Sequence, residues 1–196
     1  MLELQQFLIK EQVAFLKTAS TYDIFDPETR EQVGVAREQP GSFVTMLRWF
    51  ISKRHLPTRI EVREMADESL VFTIRRPLGF WRERVNVYDA DDRLMGYFLS
   101  KTFAWGRGFW VYDDQDAPFA ELKGDWVGWN FVFVTPDGHE LGGVSKSWAG
   151  LGRELFTSAD NYVVSIHEEL EDQPIAKMLL LAAALAVDIV YFEANE

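Results

Sequence analysis

Five times along the chain, a short run of alternating apolar and polar residues meets a turn cluster and returns. These runs cover 22–36, 60–74, 85–99, 109–122 and 130–144. Alternation with period two marks a half-buried strand. The clusters between the runs carry turn chemistry: Asp closes turns through its own side chain, Pro presets φ, and Gly takes positive φ. Each run therefore predicts a β-hairpin. The turns fall at Asp26-Pro27, Asp89 to Asp92, Asp113 to Asp116 and Pro136-Asp137-Gly138, with a weaker one at Ala66 to Ser69. Residues 7–16 fit neither the helical nor the strand period well, so periodicity leaves both open there. Tyr162 to Ile166 alternates as a strand does. Ten hairpin strands and these two stretches make about twelve strands.

The last apolar run, Pro174 to Phe192, breaks the alternation. Its Ala, Leu and Met are strong helix formers, Pro174 suits a first turn, and Asp172 is an N-cap candidate. Apolar residues cover every face from Met178 to Val187, so this helix belongs in a membrane or in a protein interior. A spanning helix needs about 20 uncharged apolar residues. Here Lys177 and Asp188 bracket only ten. The shortfall favours a helix threaded through a water-soluble fold, with a membrane segment as the alternative. Twelve strands spaced about 4.8 Å and tilted about 40° close into a barrel roughly 24 Å across, which leaves room for one helix. The expectation is one domain over 1–196, an all-β barrel of about twelve antiparallel strands around a C-terminal helix at 174–192.

Composition narrows the function classes. Of 196 residues, 47% are hydrophobic and 14% aromatic, and seven are Trp, which suits strands and a large core. The net charge of −11 argues against general nucleic-acid binding and against unassisted adsorption to anionic lipid. The absence of Cys removes disulfides, thiolate metal sites and cysteine nucleophiles. Met1 to Gln6 has no basic region leading into an apolar core, so a cytoplasmic setting is expected, peripheral at a membrane if lipid is bound.

One segment stands apart. Residues 40–57 hold no acid and mix Phe43, Trp49 and Phe50 with Arg48, Lys53 and Arg54. Two readings stay open. The segment is a helix closing or covering the barrel, or a basic-aromatic element at a membrane surface. On the second reading, Phe43, Arg48, Trp49, Phe50, Lys53 and Arg54 are the lipid-binding candidates.

Other chemistry is thin. His55, His139 and His167 are too far apart in sequence for a close-spaced metal motif. Gly106-Arg107-Gly108 lacks the third Gly and the helix of a phosphate loop, and Gly143 to Ser147 lacks the second Gly of a nucleophile elbow. The Asp runs at 89–92 and 113–116 read as turn residues rather than paired catalytic acids. Asp188 is the unusual charge in the apolar helix. If buried, it needs a partner, either a structural pair with a barrel Arg or Lys or a role as a polar handle for a ligand. No nucleophile, metal or cofactor constellation emerges, and a non-enzymatic protein without a cofactor is expected.

The order of elements resembles the phospholipid scramblases and LURP-one-related proteins of the tubby C-terminal-like superfamily. Gly142-Gly143-Val144-Ser145-Lys146-Ser147-Trp148, Glu154 to Tyr162 and the helix ending Val187 to Glu193 carry the likeness. Phe7 to Lys10, Tyr22 to Phe25 and Arg76 to Leu78 add to it. The resemblance implies a twelve-stranded barrel around a buried C-terminal helix. It also implies lipids as partners, through calcium-triggered phospholipid movement in scramblases and phosphoinositide binding in tubby-like domains. The chain lacks the Pro-rich extension and the Cys cluster of scramblases. Its counterpart of the scramblase calcium segment opens with Ser158 rather than an acid and keeps only Asp160 and Glu169 as metal candidates. The stretch between them, with Tyr162, Val164 and Ile166 alternating and no Gly, reads as a strand rather than a calcium loop. Two function classes follow: a lipid- or membrane-surface-binding scramblase-like protein, or a soluble interaction or ligand-binding module of the same fold with a protein or small-molecule partner.

Overall fold

The structure, a computed structural model, describes residues 1–12, 19–39, 41, 56–77, 84–101, 108–125, 129–146 and 161–187. Twelve strands form a closed barrel: β1 (Gln6–Glu11), β2 (Thr21–Phe25), β3 (Gln32–Glu38), β4 (Thr58–Glu64), β5 (Leu70–Arg76), β6 (Arg84–Asp89), β7 (Leu94–Ser100), β8 (Phe109–Asp113), β9 (Pro118–Asp125), β10 (Asn130–Val134), β11 (Glu140–Ser145) and β12 (Asn161–Ile166). Each strand pairs antiparallel with its chain neighbours, and β1 closes the ring against β12 with Leu8 opposite Val163. The ambiguous N-terminal stretch is thus a strand as far as Glu11, settled by pairing on both sides rather than by its own period, and positions 13–16 lie outside the described residues.

All five predicted hairpins are present and share one construction. In each, the register slips by one residue beside the turn, at Ile24/Phe25, Val62/Arg63, Val87/Tyr88, Val111/Tyr112 and Phe133/Val134. The last turn residue has positive φ: Arg30, Glu68, Asp92, Asp116 and Gly138. The Asp runs close these turns as expected. Asp89 Oδ1 accepts from the Asp91 and Arg93 amides at 2.9 and 2.8 Å, and Asp113 Oδ1 accepts from Gln115 and Ala117 at 2.9 and 2.8 Å.

Up-and-down topology gives the barrel two different rims. The five tight turns, residues 1–5 and the 167–173 link lie at one, the hairpin rim. The six connections 12–20, 39–57, 77–83, 101–108, 126–129 and 146–160 join strand ends at the other, the connection rim. Helix α1 (Pro174–Val187) enters at the hairpin rim and runs down the axis for about 21 Å at 1.5 Å per residue. Every residue from Ala176 to Val187 is buried. The positions 188–192 expected to extend it lie outside the described residues.

The Lys177 amide donates to the Gln173 carbonyl at 3.1 Å. Gln173 therefore holds the capping position, with Pro174 as the first helical residue, and Asp172 stands one residue too early for the cap expected of it. Inward-facing Phe7, Ile24, Phe72, Phe98, Phe133 and Val164 pack around the helix. At Gly96 on β7 the wall presses on the helix: a Cβ there would lie 2.9 Å from Leu179 Cδ2 and 2.3 Å from the Tyr112 carbonyl oxygen. No helix among the described residues is long and apolar enough to cross a membrane.

Candidate functional site

Strands β4, β5 and β6 end at the connection rim around an open cleft of about 750 Å³. Its construction follows from strand alternation. Ile60, Ile74 and Val87 point inward, so Arg59, Arg75 and Asn86 line up on the outer face of three adjacent strands. Arg59 stands directly opposite Arg75 in the ladder. Like charges in that relation oppose each other, so each needs a counter-charge.

Arg59 pairs with Glu61 at 2.9 Å. Arg75 pairs with Asp92 and lies over the Tyr88 ring at 4.4 Å. Glu61 also takes Arg63 at 2.8 Å. The hydrogen bond from Arg63 is the largest influence on the Glu61 carboxyl. Together with both positive charges it outweighs burial, so the carboxyl sits below its ordinary range and stays ionised.

Thr58 and Arg76 face each other one step further along and turn inward at the barrel mouth. Both are buried, and Arg76 Nη2 donates to Thr58 Oγ1 at 2.9 Å and to the Leu56 carbonyl at 3.3 Å. Three arginines thus line the cleft, two from the outer face and one from the barrel mouth, with Glu61 the acid among its lining residues. Guanidinium forks match phosphate and carboxylate oxygens, and two of the three here keep exposed surface: the Arg59 side chain is 48% exposed and that of Arg75 31%.

Gly41 and Pro57 also line the cleft. They belong to the two ends of the basic-aromatic segment, so both ends of that segment adjoin the cleft. Its candidates Phe43, Arg48, Trp49, Phe50, Lys53 and Arg54 lie outside the described residues, as do Asp160 and Asp188. Arg59 and Arg75 flank the run 60–74 and belong to no motif in the sequence. The available signal was the alternation of β4 and β5, which assigns both to the outer face, but only the register sets them side by side.

Glu169 lies in the 3-10 turn Glu168–Leu170 at the hairpin rim, and both its oxygens stand 2.8 Å from His139 Nε2. The strand expected between positions 160 and 169 is β12, and it carries the chain from the connection rim to the hairpin rim. Among the described residues, no group of three or more His, Asp or Glu could hold a metal ion.

A closed antiparallel barrel that encloses its own C-terminal helix and carries a basic cleft at one mouth defines the class of protein. The family described as Scramblase matches residues 2–194, and the chain belongs to it. The chain is similar to a phospholipid scramblase family protein of Schizosaccharomyces pombe, 24% identical over 154 residues, covering 74% of this chain and 40% of that protein. It is also similar to the altered inheritance rate of mitochondria protein 25 of Saccharomyces cerevisiae, 20% identical over 94% of this chain and 69% of the relative. A third relative, phospholipid scramblase 2 of Bos taurus, is 35% identical over 57 residues, which is 29% of this chain and 19% of that protein. The chain therefore spans less than half the length of the fission-yeast relative. No solved structure matches the chain.

Proposed function

We propose that this chain is a non-enzymatic scramblase-family protein that binds the surface of phospholipid membranes at the connection rim, with headgroup oxygens taken by the β4–β6 cleft. The carrying observation is the cleft itself: Arg59, Arg75 and Arg76 all line it, and it adjoins the described ends of the basic-aromatic segment. The names of the phospholipid scramblase relatives support the same partner. In this reading Trp49 and Phe43 enter the headgroup layer, where amphipathic aromatics are favoured. Arg48, Lys53 and Arg54 contribute about 1 kcal/mol each near an anionic surface.

Co-sedimentation with neutral and with anionic vesicles, with and without calcium, tests this. Arg59→Gln with Arg75→Gln is expected to weaken binding to anionic vesicles several-fold. Arg48→Glu with Lys53→Glu is expected to remove the preference for anionic over neutral lipid. Trp49→Ala is expected to lower binding without lowering the melting temperature. The soluble-module reading is favoured by the net charge of −11. It predicts no sedimentation with any vesicle and a Trp49→Ala variant that loses more than about 2 kcal/mol of stability, as core truncations do.

A further inference from the structure

A second concavity, of about 490 Å³, opens at the hairpin rim where the start of the chain, the ends of β4 and β5 and the entry of α1 meet. Half of its lining is apolar: Met1, Leu2, Val71 and Pro174. The other half is acidic: Glu3, Glu64, Glu171 and Asp172. The pocket is held in shape from two sides. Gly34 stands opposite Glu64, and a Cβ there would lie 2.6 Å from Met1 Sδ, so the glycine makes room for the Met1 side chain. The buried Lys177 ammonium faces the Leu2 and Glu3 carbonyls and fixes the next two residues of the wall.

Two features separate this pocket from the acidic turns beside it. The first is its carboxylates. In the turns, Asp89 and Asp113 accept from backbone amides and serve the fold. In the pocket, Glu64 pairs with the Met1 amino group, but no Lys, Arg or His side chain pairs with Glu3, Glu171 or Asp172 among the described residues. The second is apolar exposure. Met65, Val132 and Ile175 are the exposed large apolar residues among those described. Met65 and Ile175 each directly follow a lining residue, Glu64 and Pro174. Apolar exposure gathered around a concavity marks an interaction site.

We infer that this pocket docks a cationic segment of another protein, which seats an apolar side chain against Leu2, Val71 and Pro174 and sets Lys or Arg against Glu3, Glu171 and Asp172. Charge complementarity selects that occupant. The hairpin-rim segments 26–31, 65–69, 89–93, 113–117, 135–140 and 167–173 hold seventeen acids and two Lys or Arg, so the field at this end attracts cations and repels anionic lipid and nucleic acid. The apolar half of the lining demands more than a bare cation, and the preformed walls lower the cost of ordering an occupant. The site is independent of the lipid-surface reading. Thr58 lines the cleft and Glu64 the pocket, at opposite ends of β4 and about 20 Å apart, so each can be occupied without the other.

Random dodecapeptides displayed on phage, selected on the full chain at physiological salt, test the inference. The depleting bait is the variant Glu171→Gln with Asp172→Asn, whose two side chains are exposed. The expected result is a set of parent-specific peptides with Lys or Arg flanking a large apolar residue. No enriched peptide, or enriched peptides without basic residues, overturns the proposal. The most enriched peptide is then measured in solution by fluorescence polarisation. Removing two exposed ion pairs is expected to weaken it about three- to twentyfold in the Glu171→Gln, Asp172→Asn variant. Val71→Ser is expected to weaken it as well, with melting temperature followed in parallel. Asp91→Asn with Asp114→Asn removes the same charge from the same rim outside the pocket and is expected to change affinity by less than about twofold. Equal weakening by that control pair shows attraction to the rim at large, and unchanged affinity in the pocket variants shows binding elsewhere. Either result overturns the site and leaves the lipid reading untouched.

Discussion

Lys177 Nζ lies 3.1 Å from the carbonyl oxygen of Leu2, a contact between residues 175 positions apart that ties the start of the chain to the central helix. The Lys177 side chain is completely buried, and its second acceptor is the Glu3 carbonyl at 3.4 Å. No carboxylate among the described residues pairs with it, so the ammonium rests on carbonyl dipoles at the hairpin rim.

Lys177→Met is therefore expected to hold stability within about 1 kcal/mol of the parent, since an apolar side chain of similar length removes a buried charge that no counter-ion offsets. Lys177→Glu is expected to cost more than about 3 kcal/mol, because a carboxylate would face two carbonyl oxygens. Urea unfolding of the two variants separates an ammonium that is tolerated from one the fold depends on. A Met variant as unstable as the Glu variant would show the latter.

Gly96→Ala is expected to destabilise the fold by about 1–3 kcal/mol. The added methyl would sit 2.3 Å from the Tyr112 carbonyl oxygen and 2.9 Å from Leu179, so either the β7–β8 ladder or the helix must move. Coupling to the helix is tested by the double variant Gly96→Ala with Leu179→Ala. If the helix is the obstacle, the two losses add to less than their sum.

Glu68→Gly is expected to be neutral or to stabilise by up to about 1 kcal/mol. Glu68 holds φ of 57°, a conformation that disfavours a side chain with a Cβ and suits Gly. The contact made here by its backbone oxygen, which accepts from Arg63 Nη1 at 2.9 Å, survives the change. A clear fall in melting temperature would show that the Glu68 side chain itself holds the β4–β5 turn.

His139 is expected to titrate above its ordinary value, first because Glu169 accepts its hydrogen bond and then because the Glu169 charge favours the imidazolium. A pKa raised in the folded state contributes stability that is fully present below the unfolded value of about 6.5 and is lost as pH rises through the folded value. The link between the β10–β11 turn and the 167–173 segment should thus loosen on going from slightly acid to alkaline solution. An NMR titration of the His139 ring in the parent and in Glu169→Gln checks this. An unchanged midpoint in the variant would remove Glu169 as the cause.

Much of the fold was legible in the sequence because the physics that sets it is local. The period-two runs and Asp-rich turns of 85–99 and 109–122 specify hairpins wherever they occur; the first has the expected bounds to within a residue, and the second runs three residues further, to Asp125. The all-round apolarity of Met178 to Val187 required an enclosure, and twelve strands supply one. Local pattern stopped short at Gln6–Glu11, whose strand state comes from β12 and β2 on either side. It stopped short again at Asp172, where the placement of Pro174 moved the cap to Gln173. The cleft belonged to the tertiary structure alone. Arg59 and Arg75 are sixteen residues apart and become neighbours only through the β4–β5 register. The gathering of the acidic turns at one rim has the same origin. The sequence determined that acidic turns recur along the chain, and closure of an up-and-down barrel decided that they share one rim, because every second connection must return to the same rim.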